Sequence, residues 1–306
     1  IISCRVHRAV QLDDGRIKPD VLAPGGYVWS CRAQEAADTG GASGSSTWYL
    51  EYTGTSMATP NAAGAAVMIR EYLEEIALRE SPQGALVKAL LILGAEDVGN
   101  RDIPNNDEGW GRVNLRNSLA PPNGQGVWVD DRSFLSATGT SKSYSFDIDQ
   151  GGDQFKVVLA WSDEAASTWS STQLVNNLNL EVTDPNGLTY LGNDFANGRS
   201  TTGGNADAVN NVEVVLIDSA IVGTWTIEVI DANHGSSRGQ PFSLAVMGHG
   251  INDLKPDLTT LDDGFTIDIE IPSVGQATEL ECVIENTGNV RSDQFDVVME
   301  VDAVDV

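Results

Sequence analysis

A long series of short, alternating apolar stretches with no helical pattern between them constrains the fold of this chain more than any other feature. Between about residues 127 and 248, apolar residues recur at every second position, and turn signals such as Asp184-Pro185-Asn186-Gly187 separate the stretches. Alternation with a period of two is typical of half-buried strands. Six or more strands without an intervening helix favour an antiparallel sandwich. The predicted strands are Ser143–Ile148, Phe155–Trp161, Leu178–Thr183, Val212–Ile217, Thr224–Ile230 and Phe242–Met247.

The residues that precede this region follow a helical pattern. From Ser56 onward, small and apolar residues recur at helical spacing and polar ones dominate only after Arg70, which predicts a helix buried at its start and exposed later. A second helix is expected after Pro82, with Gly94 near its end. Its apolar face would consist of Leu86, Ala89, Leu90 and Leu93. Shorter segments are predicted as a strand at 17–26, a surface loop at 33–47 and a brief strand at 48–52.

Two breaks divide the chain into domains. Pro121-Pro122-Asn123-Gly124 separates the helical region from the strands, and residues 249–257 form a linker that contains Pro256. Alternation resumes over residues 257–306, which are long enough for about four strands and are expected to be a truncated β module. Because the strands of residues 126–248 can pair among themselves, we expect this part to fold independently.

Composition excludes several classes of function. The net charge is −26, from 44 acidic and 18 basic residues, and such a surface repels nucleic acids. The sequence contains no stretch of about 18 apolar residues, so no membrane-spanning helix is predicted. The three cysteines, Cys4, Cys31 and Cys282, are too few and too far apart for a disulfide framework. Neither they nor the three histidines have the spacing of metal ligands, which excludes a metal-dependent hydrolase.

The segment Gly54-Thr55-Ser56-Met57-Ala58-Thr59-Pro60 carries the chemistry. A serine in the first turn of a helix lies at the positive end of the helix dipole, where the backbone amides have no intrahelical partner. Such an amide can hold a developing oxyanion, and Gly54 lets the chain pass close to a substrate carbonyl. The alternative interpretation is an ordinary N-cap before an Ala-rich helix.

Three motifs in this region resemble the subtilisin family of serine proteases. GTSMATPNAAGAA resembles the family's nucleophile motif, GRIKPDVLAPG the strand and loop before it, and EGWGRVNL the closing segment. The resemblance implies that residues 13–120 are the C-terminal part of a doubly wound α/β peptidase domain. It also implies that Ser56 is the nucleophile, that Thr55 and the Ser56 amide lie at the oxyanion site, and that Gly54 contacts substrate.

The family activates this serine with a His in a Gly-His-Gly-Thr-His context and an Asp in an Asp-Thr-Gly context, and neither string occurs here. We therefore expect that the chain was cut off upstream, that the triad Asp and His are absent, and that the fragment is inactive. Residues 1–12 are predicted to be an artefactual start. Codons for Arg8–Leu12, read two bases later, would encode Arg-Gly-Pro-Thr, which is close to what family members have there.

The later segments resemble other modules. LVNNLNLEVTDPNGLTYLGND and GTWTIEVIDAN resemble the β-barrel, similar to the P-domain of proprotein convertases, that follows the catalytic domain in oxidatively stable alkaline proteases of bacilli. This implies a jelly-roll sandwich at 126–248 and structural calcium, and residues 257–306 resemble the start of an immunoglobulin-like, adhesin-like module. Oxygen donors near strand ends suit a hard cation. The candidate calcium ligands are Asp163, Asn177, Asn179, Asp194, Asn210 and Glu213.

The expected function is that of a secreted, monomeric serine endopeptidase that cleaves extracellular proteins or peptides through an acyl-enzyme on Ser56. The alternative is a non-catalytic secreted binding or adhesion protein built from β modules, with a vestigial protease segment. Upstream sequence that encodes the missing Asp and His motifs would favour the first.

Overall fold

A computed structural model describes residues 15–32, 48–170 and 172–251 in full, and the backbone of three further strands at 44–45, 258–267 and 280–286. The predicted artefactual start at 1–12 lies outside the described residues, as do most of the predicted loop at 33–47 and most of the predicted module at 257–306.

The first part of the chain combines a small antiparallel sheet with three helices. Strands β1 (Val28–Cys31), β2 (Gly44–Ser45) and β3 (Tyr49–Tyr52) form the sheet in the order β1-β3-β2. The helices are α1 (Thr55–Glu71), which a π-helical turn (Tyr72–Ile76) prolongs, α2 (Gly84–Leu93) and α3 (Leu115–Leu119). The strand predicted at 17–26 is wrong: this segment makes an isolated bridge between Leu22 and Arg112.

The two long helices differ in how well their burial was predicted. Helix α2 and its buried face are confirmed, and Gly94 caps its C-terminus. The burial predicted for α1 is wrong, because only Ala58, Ala65 and Ile69 are buried in it and its first half is largely exposed. Alanine spacing shows which face of a helix can be buried, and the neighbouring elements decide whether it is.

Two antiparallel sheets form the second part. The strands are β4 (Gly126–Asp130), β5 (Phe134–Leu135), β6 (Ser141–Ile148), β7 (Phe155–Trp161), β8 (Asn176–Thr183), β9 (Thr189–Leu191), β10 (Phe195–Ala196), β11 (Arg199–Ser200), β12 (Val212–Ile217), β13 (Gly223–His234) and β14 (Gln240–Gly248). One sheet has the order β12-β7-β14-β4, with β5 paired to β14, and the other has the order β6-β13-β8-β9; β10 pairs with β11. All six strands predicted from alternation are present, and two of them have the predicted bounds.

One core lies between the two sheets, where the aromatic rings of Phe155 and Trp225 meet at 4.9 Å between centroids. Beyond these sheets, β15 (Leu258–Ile267) and β16 (Leu280–Asn286) pair with each other in antiparallel fashion. The jelly-roll connectivity, the immunoglobulin-like module and the domain bounds stay predictions.

A second core joins the helices to the outer face of the β7-containing sheet. Helix α2 packs against β7 and β14, so that its apolar side chains cover residues that the sheet would otherwise expose. This shared core argues against independent folding of residues 126–248. The sheet residues in it are Val127, Val129, Val158, Ala160, Val212, Val214, Ala245 and Met247.

Polar contacts reinforce the same junction. Nζ of Lys156, a fully buried side chain on β7, donates a hydrogen bond of 2.7 Å to the carbonyl oxygen of Ile92 near the C-terminus of α2. Burial, and secondarily the charge of Arg199, lowers the pKa of Lys156 to about 7. Arg79, which follows the π-helical turn, forms a 2.6 Å ion pair with Asp131, whose side chain is 1% exposed. The two parts of the chain are thus held together by both apolar and polar contacts.

The segment Glu108-Gly109-Trp110-Gly111 closes the helical part, and its geometry explains its composition. Gly109 has a φ of +62°, and a Cβ there would lie 2.0 Å from the carbonyl oxygen of Pro19. Trp110 is buried between the two parts and meets the ring of Phe195 at 5.4 Å. Glycine is required at 109 because both the backbone conformation and the space exclude a side chain.

Candidate nucleophile site

Ser56 lies in the first turn of α1, directly after the sheet formed by β1 and β3. Its side chain is exposed, and within the described part of the chain no hydrogen bond of its hydroxyl is found. The first intrahelical bonds run from the amides of Met57 and Ala58 to the carbonyl oxygen of Gly54, at 3.0 and 3.3 Å. The amides of Thr55 and Ser56 precede these bonds, so they are available to an approaching anion.

The start of α1 is anchored to the Pro24-Gly25 loop. The amide of Gly54 donates to the carbonyl oxygen of Gly25 at 2.8 Å, and Nδ2 of Asn61 donates to the carbonyl oxygen of Pro24 at 2.7 Å. Through these bonds, the loop at the end of GRIKPDVLAPG fixes the position of the helix start.

Gly54 is not required by the described fold. Its φ is 167°, an extended conformation that any residue adopts, and a Cβ there would meet only ordinary contacts, such as Sδ of Met57 at 3.7 Å. Gly64, in the middle of α1, faces open space. Glycine within a helix costs about 1 kcal/mol relative to alanine, so its presence there has no explanation in the packing that is described.

Several large apolar side chains of the first part of the chain are exposed. Trp29 on β1 is 53% exposed, and Val67 and Met68 on α1 are 65% and 57% exposed. On β1 and β3, Trp29 lies opposite Glu51 and Cys31 opposite Tyr49, so these four residues share the outer face of the sheet. The first part of the chain therefore has exposed apolar side chains on both β1 and α1.

The described histidines do not lie beside Ser56. A 2.7 Å hydrogen bond joins Nδ1 of His234 to Asp231, and a 2.8 Å hydrogen bond joins Nε2 of His249 to Asp153, both in the second part of the chain. His7 lies outside the described residues. Among residues 15–32, 48–170 and 172–251, neither histidine hydrogen-bonds to Ser56, and the absence of the triad Asp and His stays a prediction from the sequence.

The six candidate calcium ligands have separate environments. The carboxylate of Asp163 accepts from the amides of Val175 and Asn176, and Asp194 accepts from the amide of Gly204. Oδ1 of Asn210 accepts from the amide of Ile17. In the part of the chain described, no group of three or more His, Cys, Asp or Glu side chains forms a metal site. Calcium binding stays a prediction from the sequence.

The remaining three candidates lie on β8 and β12. Asn177 and Asn179 share one face of β8, 3.3 Å apart between Nδ2 and Oδ1. Glu213 is 1% exposed; its Oε2 accepts from the amide of Leu180 at 2.6 Å, and its Oε1 has no hydrogen-bond partner within the described residues. Burial raises the pKa of Glu213 well above its ordinary value, and the charges of Asp207 and Glu181 add to that rise.

Sequence reasoning missed Asp207, which organises the loop before β12. Its carboxylate accepts from the amides of Val209 and Asn210 and from the side chains of Asn193 and Asn210. The sequence contained a signal, since an Asp followed by two residues and an Asn is typical of a turn closed by the acidic side chain.

Comparison with known proteins supports assignment of the first part to a family of serine proteases. The model of the subtilase family of peptidases matches residues 4–111, a segment that contains Ser56 and extends into the predicted artefactual start. Among the described residues, no helix has the length and apolar character needed to cross a bilayer.

Two curated proteins of Dictyostelium discoideum are similar in sequence to this chain. The serine protease/ABC transporter B family protein tagA is 30% identical over 246 residues, which cover 72% of this chain and 14% of that protein. The serine protease/ABC transporter B family protein tagD is 27% identical over 264 residues, which cover 66% of this chain and 14% of that protein. The chain thus spans about one seventh of the length of these relatives. A lipase from Bacillus licheniformis, solved with its propeptide, covers 40% of this chain at 17% identity and a TM-score of 0.23, too low to support an argument about the fold.

Proposed function

We propose that this chain is part of a secreted subtilisin-type serine endopeptidase that cleaves proteins or peptides through an acyl-enzyme on Ser56. The observation that carries the proposal is the position of Ser56: its exposed hydroxyl lies at the N-terminus of α1, beside the amides of Thr55 and Ser56, within the segment that the subtilase model matches. An amide at a helix start stabilises the oxyanion of a tetrahedral intermediate.

Gly54, directly before α1, supports a catalytic rather than a purely structural role. Gly109 is forced by the fold, whereas Gly54 is not forced by the described residues. A glycine that no described neighbour demands suits a backbone that a substrate approaches. In this proposal the general base and its orienting carboxylate come from residues other than the described ones.

The finer assignments belong to the same proposal. Residues 126–248 would be a jelly-roll similar to the P-domain-like barrel of bacillary alkaline proteases, residues 257–306 the beginning of an immunoglobulin-like module, and the chain a monomer. Calcium would be structural, and no catalytic step depends on it.

A non-catalytic binding or adhesion protein is the second candidate. The observation in its favour is that His234 and His249 pair with carboxylates of the second part of the chain, Asp231 and Asp153. A protein of this kind would retain the fold around Ser56 without turnover.

We expect the purified 306-residue chain to hydrolyse casein or a peptide p-nitroanilide no faster than its Ser56→Ala variant. Without a general base, only about 10³–10⁴-fold acceleration over water remains from the oxyanion site and binding, which is below detection for peptide bonds. Turnover that Ser56→Ala abolishes and the exposed-serine control Ser167→Ala retains would contradict this expectation.

The proposal itself is tested on the parent gene. A protein extended upstream to include Asp-Thr-Gly and Gly-His-Gly-Thr-His motifs should cleave casein and lose that activity in Ser56→Ala but not in Ser167→Ala. Absence of those motifs, or an extended protein indifferent to Ser56→Ala, would favour the binding protein.

A further inference from the structure

A basic side chain lies inside the junction between helix α2 and the β7-containing sheet. Lys156 on β7 is 1% exposed, and by alternation it shares the outer face of the sheet with Val158 and Ala160, which belong to the core that α2 completes. The residues opposite it on the neighbouring strands, Leu216 on β12 and Met247 on β14, are apolar. The amine therefore lies where water does not compensate a charge.

The hydrogen bonds of the Lys156 amine match its neutral form. Nζ donates to the carbonyl oxygens of Ile92 and Ala95, at 2.7 and 3.5 Å, and among the described residues no further acceptor for it is found. An ammonium group has three N–H donors, so one of them would stay unpaired, whereas a neutral amine has two. Because an unpaired donor is costly in a buried place, the two acceptors favour the neutral amine.

The elements packed around this amine supply no negative charge to balance an ammonium group. Within the part of the chain that the structure describes, no ion pair joins Lys156 to a carboxylate. Helix α2 has one ionisable side chain, Lys88, which pairs with Asp20, and β14 has none. On β12, Glu213 lies on the opposite face of the sheet. The charge that acts on the amine is that of Arg199 on β11, and it has the same sign.

The two carboxylates that directly follow α2 do not change this balance. Glu96 forms a 2.9 Å ion pair with Arg112. The pKa of Asp97 is raised, by burial first and by the charge of Glu108 second. A carboxylate that paired with an ammonium group would have a lowered pKa instead. A proton on Lys156 would therefore add a buried charge without a counter-ion, which costs far more than burial of the neutral amine.

We propose that Lys156 makes the packing of α2 on the β7-containing sheet sensitive to pH near neutrality. With a neutral amine the junction is complete, and when the amine takes up a proton the junction weakens, so that the helical part separates more readily from the sheet. Burial, and secondarily the charge of Arg199, lowers the pKa of Lys156 to about 7, which places this change close to neutral pH. The device is built into the fold and does not rest on the role of Ser56.

Above pH 7 the folded and unfolded chains differ in the proton that they hold on Lys156. The ordinary pKa of this side chain is 10.5, so between about pH 7 and 10.5 the unfolded chain keeps a proton that the folded chain has released. The penalty from this group is therefore complete below pH 7 and is relieved as the pH rises toward 10.5. A difference of one proton changes the folding constant by about tenfold for each pH unit.

The test is urea unfolding of the full 306-residue chain and of Lys156→Met, followed by tryptophan fluorescence, since all seven tryptophans lie within residues 29–225. Methionine is unbranched and does not titrate. The folding constant of the parent, divided by that of the variant, should rise about hundredfold from about pH 6 to about pH 9. Lys156→Gln, a second neutral variant, should give the same rise. Lys142→Met, which removes an exposed lysine on β6, is the matched control and should show no such rise.

Hydrogen exchange at about pH 6 locates the effect: the α2 amides should exchange about tenfold or more slowly in Lys156→Met than in the parent. Three results would overturn the proposal: a ratio of folding constants that stays constant between the two pH values, an equal rise in Lys142→Met, or unchanged exchange of α2. Failure of both neutral variants to fold at either pH would show that the junction needs the amine itself, and would also overturn it. None of these readouts depends on peptidase activity.

Discussion

Residues 126–251 expressed alone should show no cooperative thermal transition, whereas residues 15–251 should melt cooperatively. Without α2, the outer face of the β7-containing sheet exposes the eight apolar residues of the shared core, from Val127 to Met247. Full burial of such side chains contributes about 1.5–3 kcal/mol each, and even a third of that, over eight residues, approaches the roughly 5–15 kcal/mol that stabilises a whole domain. The measurement is differential scanning calorimetry of both proteins at equal concentration.

A pair of substitutions in residues 15–251 separates this packing from other effects of truncation. Leu90→Asp places a charge in the buried face of α2 and should abolish the transition, whereas Leu188→Asp, on a turn where the side chain is 51% exposed, should change little. If residues 126–251 alone melt cooperatively within a few degrees of the longer protein, the shared core is not needed for folding and the sequence-based expectation of independence is right.

The strands could be predicted from the sequence because alternation and turn residues act locally. Phe155–Trp161 and Val212–Ile217 have the predicted bounds, and the others differ mainly at their ends, where pairing with a neighbour adds residues. By contrast, β7 is buried on both faces, although an isolated sandwich would leave one of them in water. Its run FKVVLAW, apolar except for Lys156, was a sign that something covers the second face.

The relation between the two parts of the chain could not be read from local patterns. Pro121-Pro122 indicates a change in chain direction, but residues on both sides of it share one hydrophobic core. Lys156, the second residue of that run, was a sign of the contact: a buried lysine needs an acceptor, and it finds one in a carbonyl of the last turn of α2. Which acceptor it finds depends on tertiary packing, so the sequence alone could not name Ile92.

The position of Ser56 in its helix was predicted more completely than its surroundings. Local rules place Ser56 in the first helical turn, and the structure has it there. The exposure of α1 could not be foreseen, since an Ala-rich face is equally compatible with a buried and an open helix. For the calcium candidates, position near strand ends was the signal used, and that signal does not distinguish a metal ligand from a carboxylate that closes a loop, as Asp163 does.

Glu213→Gln should raise the melting temperature of the chain, and the increase should grow as the pH rises above about 4.5. By alternation along β12, Glu213 points to the same side as Val215, into the core between the sheets. Burial comes first among the causes that raise its pKa, followed by Asp207 and Glu181, while the amide of Leu180 opposes the rise. A carboxyl group in such a place is stable as the neutral acid, with its second oxygen unpaired among the described groups.

The direction of this pH dependence follows from the number of protons that the folded and unfolded chains bind. Between the ordinary pKa of 4.5 and the raised pKa of the folded state, the folded chain holds a proton on Glu213 that the unfolded chain releases. Stability from this group is therefore complete below pH 4.5 and is lost as the pH rises through the folded-state pKa. Glutamine keeps the shape and the acceptor for Leu180 but has no proton to lose, so the variant escapes this penalty. Glu228→Gln, on the outer face of β13, is the matched control and should leave the pH dependence as it is.

Melting the same variants in calcium distinguishes a calcium ligand at position 213 from a buried neutral acid. If Glu213 is a calcium ligand, it is ionised when the ion is bound, and millimolar calcium should raise the melting temperature more than sodium chloride of equal ionic strength does. A ligand at a hundredfold excess over its dissociation constant stabilises the folded state by about 2.7 kcal/mol. Glu213→Gln and Asp194→Ala would then each reduce that gain, and Glu213→Gln would lower stability in calcium. A neutral, buried Glu213 predicts the reverse: equal effects of the two salts, and a variant more stable than the parent in both.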